Sequence, residues 1–149
     1  GVNLNPGIAV NQMDYNDIPT YSATKVDPDQ KANYLQWMFF IMSELDASLW
    51  TLAKHKFAYP KELRVVGAEL GPKRDLQKAI EVLLKELETK PYLLGEQFSA
   101  VDLFVTTMVT WAKRIKMDAL PDALVAWSLK NGERPAFKRA LSHAQAESS

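Results

Sequence analysis

The chain has 149 residues, 18 Lys and Arg against 18 Asp and Glu, and no cysteine. That length carries one domain with a real core, and a composition of 47% hydrophobic and 24% charged residues is that of an ordinary globular protein. Zero net charge argues against a nucleic-acid partner, and the lack of cysteine excludes a disulfide, a Cys-ligated metal or a thiol nucleophile within this chain. No stretch approaches the ~20 consecutive apolar residues of a membrane span and no secretory leader opens the chain, so the expectation is a cytoplasmic protein without a membrane partner.

Residues 1–26 hold Pro6, Gly7, Pro19 and several asparagines, with Ile8-Ala9-Val10 as a short apolar run. They read as an irregular arm or linker. Asp27-Pro28-Asp29-Gln30 is a helix start, with Asp27 as cap and Pro28 at the first helical position. Leu35, Met38, Met42, Leu45, Leu49 and Leu52 then recur at three- and four-residue steps, which predicts a long helix over roughly 28–56. Pro60 can open the next helix, and Gly67, Gly71 and Pro72 predict a kink or break in it. Leu76, Ala79, Ile80, Leu83, Leu84 and Leu87 restore the helical stripe, with Glu81–Lys85 and Glu86–Lys90 as pairs on the outer face.

Phe98-Ser99-Ala100-Val101-Asp102-Leu103 is the most specific local signal. Ser99 and Asp102 stand at the two positions of a capping box, and Phe98 and Leu103 at those of a hydrophobic staple. The helix that follows is apolar nearly all round until Lys113, Arg114 and Lys116, so it belongs at the centre of a bundle. Pro121 starts a helix over about 121–131, with Leu124, Trp127 and Leu120 inward. Asn131-Gly132 reads as its end, with Gly132 available for a left-handed position. Pro135 opens a short last helix carrying Phe137 and Leu141, and Ala144–Ser149 reads as a fraying tail. The result is an all-α helical bundle, with a core that includes Leu35, Leu49, Leu83, Leu87, Phe98, Phe104, Met108 and Trp127.

The order of these signals, from the capped long helix through Pro91-Tyr92-Leu93-Leu94-Gly95-Glu96-Gln97-Phe98-Ser99-Ala100-Val101-Asp102 to Arg134-Pro135-Ala136-Phe137, resembles the C-terminal helical domain of the cytosolic glutathione S-transferases, bacterial members above all. The resemblance covers about residues 27–143. It implies two parts, an irregular arm (1–26) and a glutathione S-transferase C-terminal-like domain (27–149). A complete family member also carries a thioredoxin-like domain that binds glutathione. Residues 1–26 are too short for such a domain, since each β-α-β crossover takes ~30 residues. The expectation is therefore the helical half of a transferase-like protein that binds no cofactor alone and takes glutathione as co-substrate only when complete. Its partners would be the thioredoxin-like domain, or another protein, and a second copy in a homodimer. The resemblance also implies that the long helix and the end of the central helix line the site for small hydrophobic molecules. Phe40, Ile41, Glu44, Ser48 and Trp111 are the candidate substrate-binding residues. The alternatives of the same fold are a non-catalytic protein-interaction module and a carrier of hydrophobic ligands.

Other residues have plainer readings. Tyr15, Tyr21 and Ser22 read as loop residues of the arm, and no catalytic residue is assigned. His55 and His143 lack a second ligand at metal spacing, so no metal is expected, and His55 reads as a polar end to the first helix. Glu44, Asp46, Glu96 and Asp102 show no sign of converging as an acid–base pair. The glycines form no phosphate-cradling loop.

Overall fold

The computed structural model describes residues 28–117 and 120–146. The 1–26 arm, Asp27, Tyr15, Tyr21 and Ser22 lie outside the described residues. The rest is an all-α bundle. Helix α1 (Pro28–Phe40) runs without a break into a wide i→i+5 turn (Ile41–Asp46), helix α2 (Ala47–Ala53) and a second wide turn (Lys54–Ala58). A single 3₁₀ turn (Lys61–Leu63) and a loop lead to α3 (Leu70–Leu87). Helices α4 (Ala100–Arg114), α5 (Asp122–Gly132) and α6 (Pro135–Ala146) complete the bundle. No strand occurs among the described residues; Tyr92 and Gly95 form one isolated antiparallel bridge, with Gly95 at φ +117°.

The wide turns change which face of the long helix is buried. Each inserts a residue into the 3.6-residue repeat, so the side chains before it are rotated against those after it. The buried stripe is Ile41, Leu45, Ser48, Leu49, Leu52 and Ala53. Met42 is 47% exposed and Leu35 is 40% exposed, so Leu35 is not in the core, and α1 has no fully buried residue. Leu49, Leu83, Phe98 and Met108 are core residues; Leu87, Phe104 and Trp127 are half-buried against it.

The break expected after Pro60 is real and has two parts. Pro60 opens only one 3₁₀ turn, and Gly67 then adopts φ +84°, a left-handed conformation that favours glycine. Gly71 and Pro72 do not interrupt a helix. They lie in the first turn of α3, where the missing proline N–H has no intrahelical duty. Two cations close helix ends here. Arg64 donates from Nε to the Tyr59 carbonyl (2.8 Å) and from an Nη to the Phe57 carbonyl (3.0 Å), where the long helix ends. Lys56 Nζ donates to the carbonyls of Ile115 (3.1 Å) and Lys116 (2.6 Å), just past the end of α4.

Helix α4 is the central element, with eleven of its fifteen residues buried. It packs on α5, and also meets α1 and the first wide turn. Thr106 joins α4 to α5 inside the core. Its hydroxyl accepts from Asn131 Nδ2 (3.3 Å), and its carbonyl accepts from Ser128 Oγ (3.3 Å). Gly132 does not take the left-handed position expected at the end of α5. Asn131 is turned inward, and the chain passes through Glu133 in a right-handed conformation directly into α6. Helix α6 continues to Ala146, so residues 144–146 are helical rather than a tail.

Candidate functional site

The start of α4 is built around one buried carboxylate. Asp102 Oδ2 accepts from the Ser99 backbone N–H (2.8 Å) and from Ser99 Oγ (2.9 Å), and both arms of the capping box are present. Asp102 Oδ1 accepts from the Leu93 N–H (2.8 Å), which ties the preceding loop to the helix. Burial raises the Asp102 pKa above the usual carboxylate range, and the hydrogen bonds from Leu93 and Ser99 oppose that rise only in part. Phe98 and Leu103 are buried together with Phe137, and Arg134 lies over the Phe98 ring at 4.1 Å. On the other side of the same loop, Trp127 Nε1 donates to the Pro91 carbonyl (2.9 Å). The 91–99 loop is therefore fastened to both the start of α4 and α5.

At the far end of α4, Trp111 meets Trp50 of α2 with ring centroids 6.3 Å apart and tilted by 40°. Lys54, one turn beyond Trp50, holds its ammonium 5.8 Å from the Trp50 ring centroid. Trp111 Nε1 is buried and finds no acceptor among the described residues. A buried indole N–H normally finds a partner, so Trp111 Nε1 is a polar atom enclosed in the core without one among the described residues.

The candidate substrate residues occupy different environments. Phe40 is half-buried and edge-on to Trp37, with centroids 5.6 Å apart. Ile41 is fully buried in the same core cluster as Trp111. Glu44 is exposed, and its carboxylate accepts from Ser43 Oγ (3.0 Å). Ser48 is buried. Trp50 and Lys54 join Trp111 and were not among the candidates, although their spacing of four residues on one helix face is a readable signal. His55 does more than end a helix. Its Nδ1 accepts from the Val65 N–H (3.2 Å), and its ring stands edge-on to Tyr59. Asp46, half-buried, has its pKa raised by burial. Glu96 and His143 are exposed. No group of three or more His, Asp and Glu among the described residues could hold a metal ion, and no helix among them is long and apolar enough to cross a membrane.

Residues 73–142 match the family described as glutathione S-transferase, C-terminal domain. The described residues have the all-α architecture of a glutathione S-transferase C-terminal domain. An uncharacterized GST-like protein of Streptococcus mutans serotype c (strain ATCC 700610 / UA159) is 28% identical, across 78% of this chain and 47% of that protein. A disulfide-bond oxidoreductase of Escherichia coli (strain K12) is 30% identical, across 78% of this chain and 54% of that protein. Among solved structures, a bacterial GST in a ternary complex superposes with a TM-score of 0.67 at 25% identity, covering 85% of this chain and 57% of that one. A glutathione transferase of Phanerochaete chrysosporium shares the fold with a TM-score of 0.69 at 21% identity, covering 90% of this chain and 60% of that one. The chain spans about half the length of the curated relatives it matches. Within this bundle, the Asp102 knot and the Trp50–Trp111 pair sit at opposite ends of the central helix.

Proposed function

We propose that this chain is the substrate-binding helical half of a glutathione S-transferase-like protein. In that reading it works against a thioredoxin-like domain that binds glutathione, and the complete cytoplasmic dimer transfers glutathione to small hydrophobic electrophiles. The helical half alone lacks activity. The observation that carries the reading is the Trp50–Trp111 pair, with the half-buried Trp50 ring under the Lys54 ammonium. An apolar electrophile would stack on the open part of Trp50 and direct developing negative charge toward Lys54. Phe40 and Glu44 would border that face, with Ile41 and Ser48 packed beneath it. Phe39, 72% exposed on α1, together with Leu35 and Met42, offers an apolar surface for the thioredoxin-like domain or a second copy.

The test is titration of the 149-residue chain with a nitroaromatic probe, read by tryptophan fluorescence, beside calorimetric titration with glutathione. The expected result is saturable probe binding, weakened by Trp50→Ala, which removes the stacking ring, with no saturable glutathione binding. Joined to a thioredoxin-like glutathione-binding domain, the chain should then conjugate the probe. Probe binding that is unchanged in Trp50→Ala would overturn the substrate-site assignment. A stable complex with a larger protein and no probe binding would favour the interaction module instead.

A further inference from the structure

A cleft of about 500 Å³ opens between the C-terminal end of the long helix, the Arg64–Gly67 loop and the first turns of α3. Its size lies within the range of about 300–1,000 Å³ that small-molecule sites occupy. None of Trp50, Lys54 and Trp111 lines it, so it is separate from the aromatic pair and independent of the transferase reading. Leu52, Leu76, Ile80 and Met117 form an apolar floor. Apart from the His55 imidazole, no aromatic ring is among the lining residues, so the apolar surface is aliphatic and suits a flexible alkyl chain better than a flat ring.

The rim is charged, and the balance is positive. Lys56, Arg64 and Lys73 stand against the single carboxylate of Glu69. Lys56 and Arg64 are already immobilised on helix-end carbonyls, which fix these cations in place without neutralising them. A ligand that meets an ordered cation need not supply the ordering entropy. Lys73 is exposed on the first turn of α3, where its stem can follow a ligand headgroup. The outer wall is preformed as well. His55 Nδ1 holds the Val65 N–H, Arg64 is pinned at two carbonyls, and Gly67 turns the chain at φ +84°.

We infer that this cleft is a second, glutathione-independent binding site, and that it takes a medium-chain alkyl carboxylate. The alkyl chain lies on Leu52, Leu76, Ile80 and Met117, and the carboxylate meets the Lys56, Arg64 and Lys73 rim. The apolar floor supplies most of the affinity through burial of the chain, and the cations supply the preference for an anion.

The test uses the 149-residue chain, sodium decanoate and the neutral alcohol decanol, at low salt, with calorimetry and NMR of backbone amides and methionine methyls. The expected result is saturable one-to-one decanoate binding that shifts the Val65, Val66, Gly67 and Met117 signals. Decanol should bind more weakly. Lys73→Glu should weaken decanoate about fivefold, in line with an exposed charge contact, and should leave decanol unchanged. This variant keeps the fold, because an acidic side chain suits the first turn of a helix. Lys130→Glu, the same charge change on exposed α5, should leave decanoate binding as it was. The inference is overturned if decanoate shifts the indole signals of Trp50 and Trp111 instead, if decanol binds equally well, or if the two lysine variants behave alike.

Discussion

The Leu93 backbone N–H donates to Asp102 Oδ1 at 2.8 Å, so the carboxylate that caps α4 also anchors a loop residue nine positions earlier. The same side chain takes two donors from Ser99 through its other oxygen. Removing it leaves three donors without their acceptor in a buried site. Asp102→Ala should therefore cost about 2–4 kcal/mol, more than a surface cap alone. Urea unfolding of the variant measures this, and an unchanged midpoint would remove Asp102 from the structural account.

The charge state of Asp102 makes a second, pH-dependent prediction. Its folded pKa is raised by burial, so between the unfolded value of about 4 and the raised value the folded state binds more protons than the unfolded one. Stability from this group is present at acid pH and declines as pH rises through that window. Against Asp102→Asn, which has no titrating group there, the wild-type chain should lose relative stability as pH rises from about 4. Asp46, also raised by burial, is common to both proteins and cancels in the comparison. A relative stability that grows with pH would mean that the donors from Leu93 and Ser99 outweigh burial.

Thr106 and Asn131 give a sharper test of the α4–α5 interface. Thr106→Val keeps the shape and removes the acceptor of Asn131 Nδ2, leaving a buried amide donor unpaired. The expected cost is about 1–3 kcal/mol. Adding Asn131→Leu should recover part of it, because both polar partners are then gone. A double-mutant cycle by thermal unfolding reads the coupling, and strictly additive effects would contradict a direct interaction.

Arg64 closes the end of the long helix through two carbonyls. Arg64→Met keeps much of the apolar stem and removes both bonds. Loss of about 1–2 kcal/mol is expected, together with faster amide exchange in the 57–66 segment. Exchange rates equal to wild type would show that the loop is held by His55 alone.

Burial of Leu83 and Leu124, each fully enclosed in the main core cluster, makes the largest predicted losses. Leu124→Ala should cost about 2–5 kcal/mol through lost burial and the cavity left behind. Leu35→Ala, at a 40% exposed position, should cost far less. Equal losses would mean that α1 is packed more tightly than its exposure indicates.

The local features of this protein are legible in the sequence because their chemistry is local. Ser99 and Asp102 are three residues apart, so each can reach the other's backbone before any tertiary contact forms. The stripe of α3 reads correctly at Leu76, Ala79, Ile80 and Leu83, since an uninterrupted helix keeps its 3.6-residue repeat. Together with the order of the helices, these were enough to place the chain in its fold. The long helix is different. Its spacing admits Leu35 and Met42 as inward residues, and only the wide turns, which let Ile41 and Leu45 meet α3 and α4, select another face. That choice is made by packing between distant segments, and no window of sequence contains it. The same holds for the features of the candidate site. Lys54 and Trp50 lie four residues apart and can be paired on paper, but Trp111 comes from a helix 61 positions after Trp50, and its unpartnered N–H is a property of the assembled surroundings. Nothing in the sequence singles out Arg64 or Lys56, and His55 reads there only as a polar helix end. They become helix clamps and the wall of a cleft only when the ends of two helices and the Gly67 turn are brought together, because unpaired helix-end carbonyls and loop amides draw whichever polar side chain the fold places within reach.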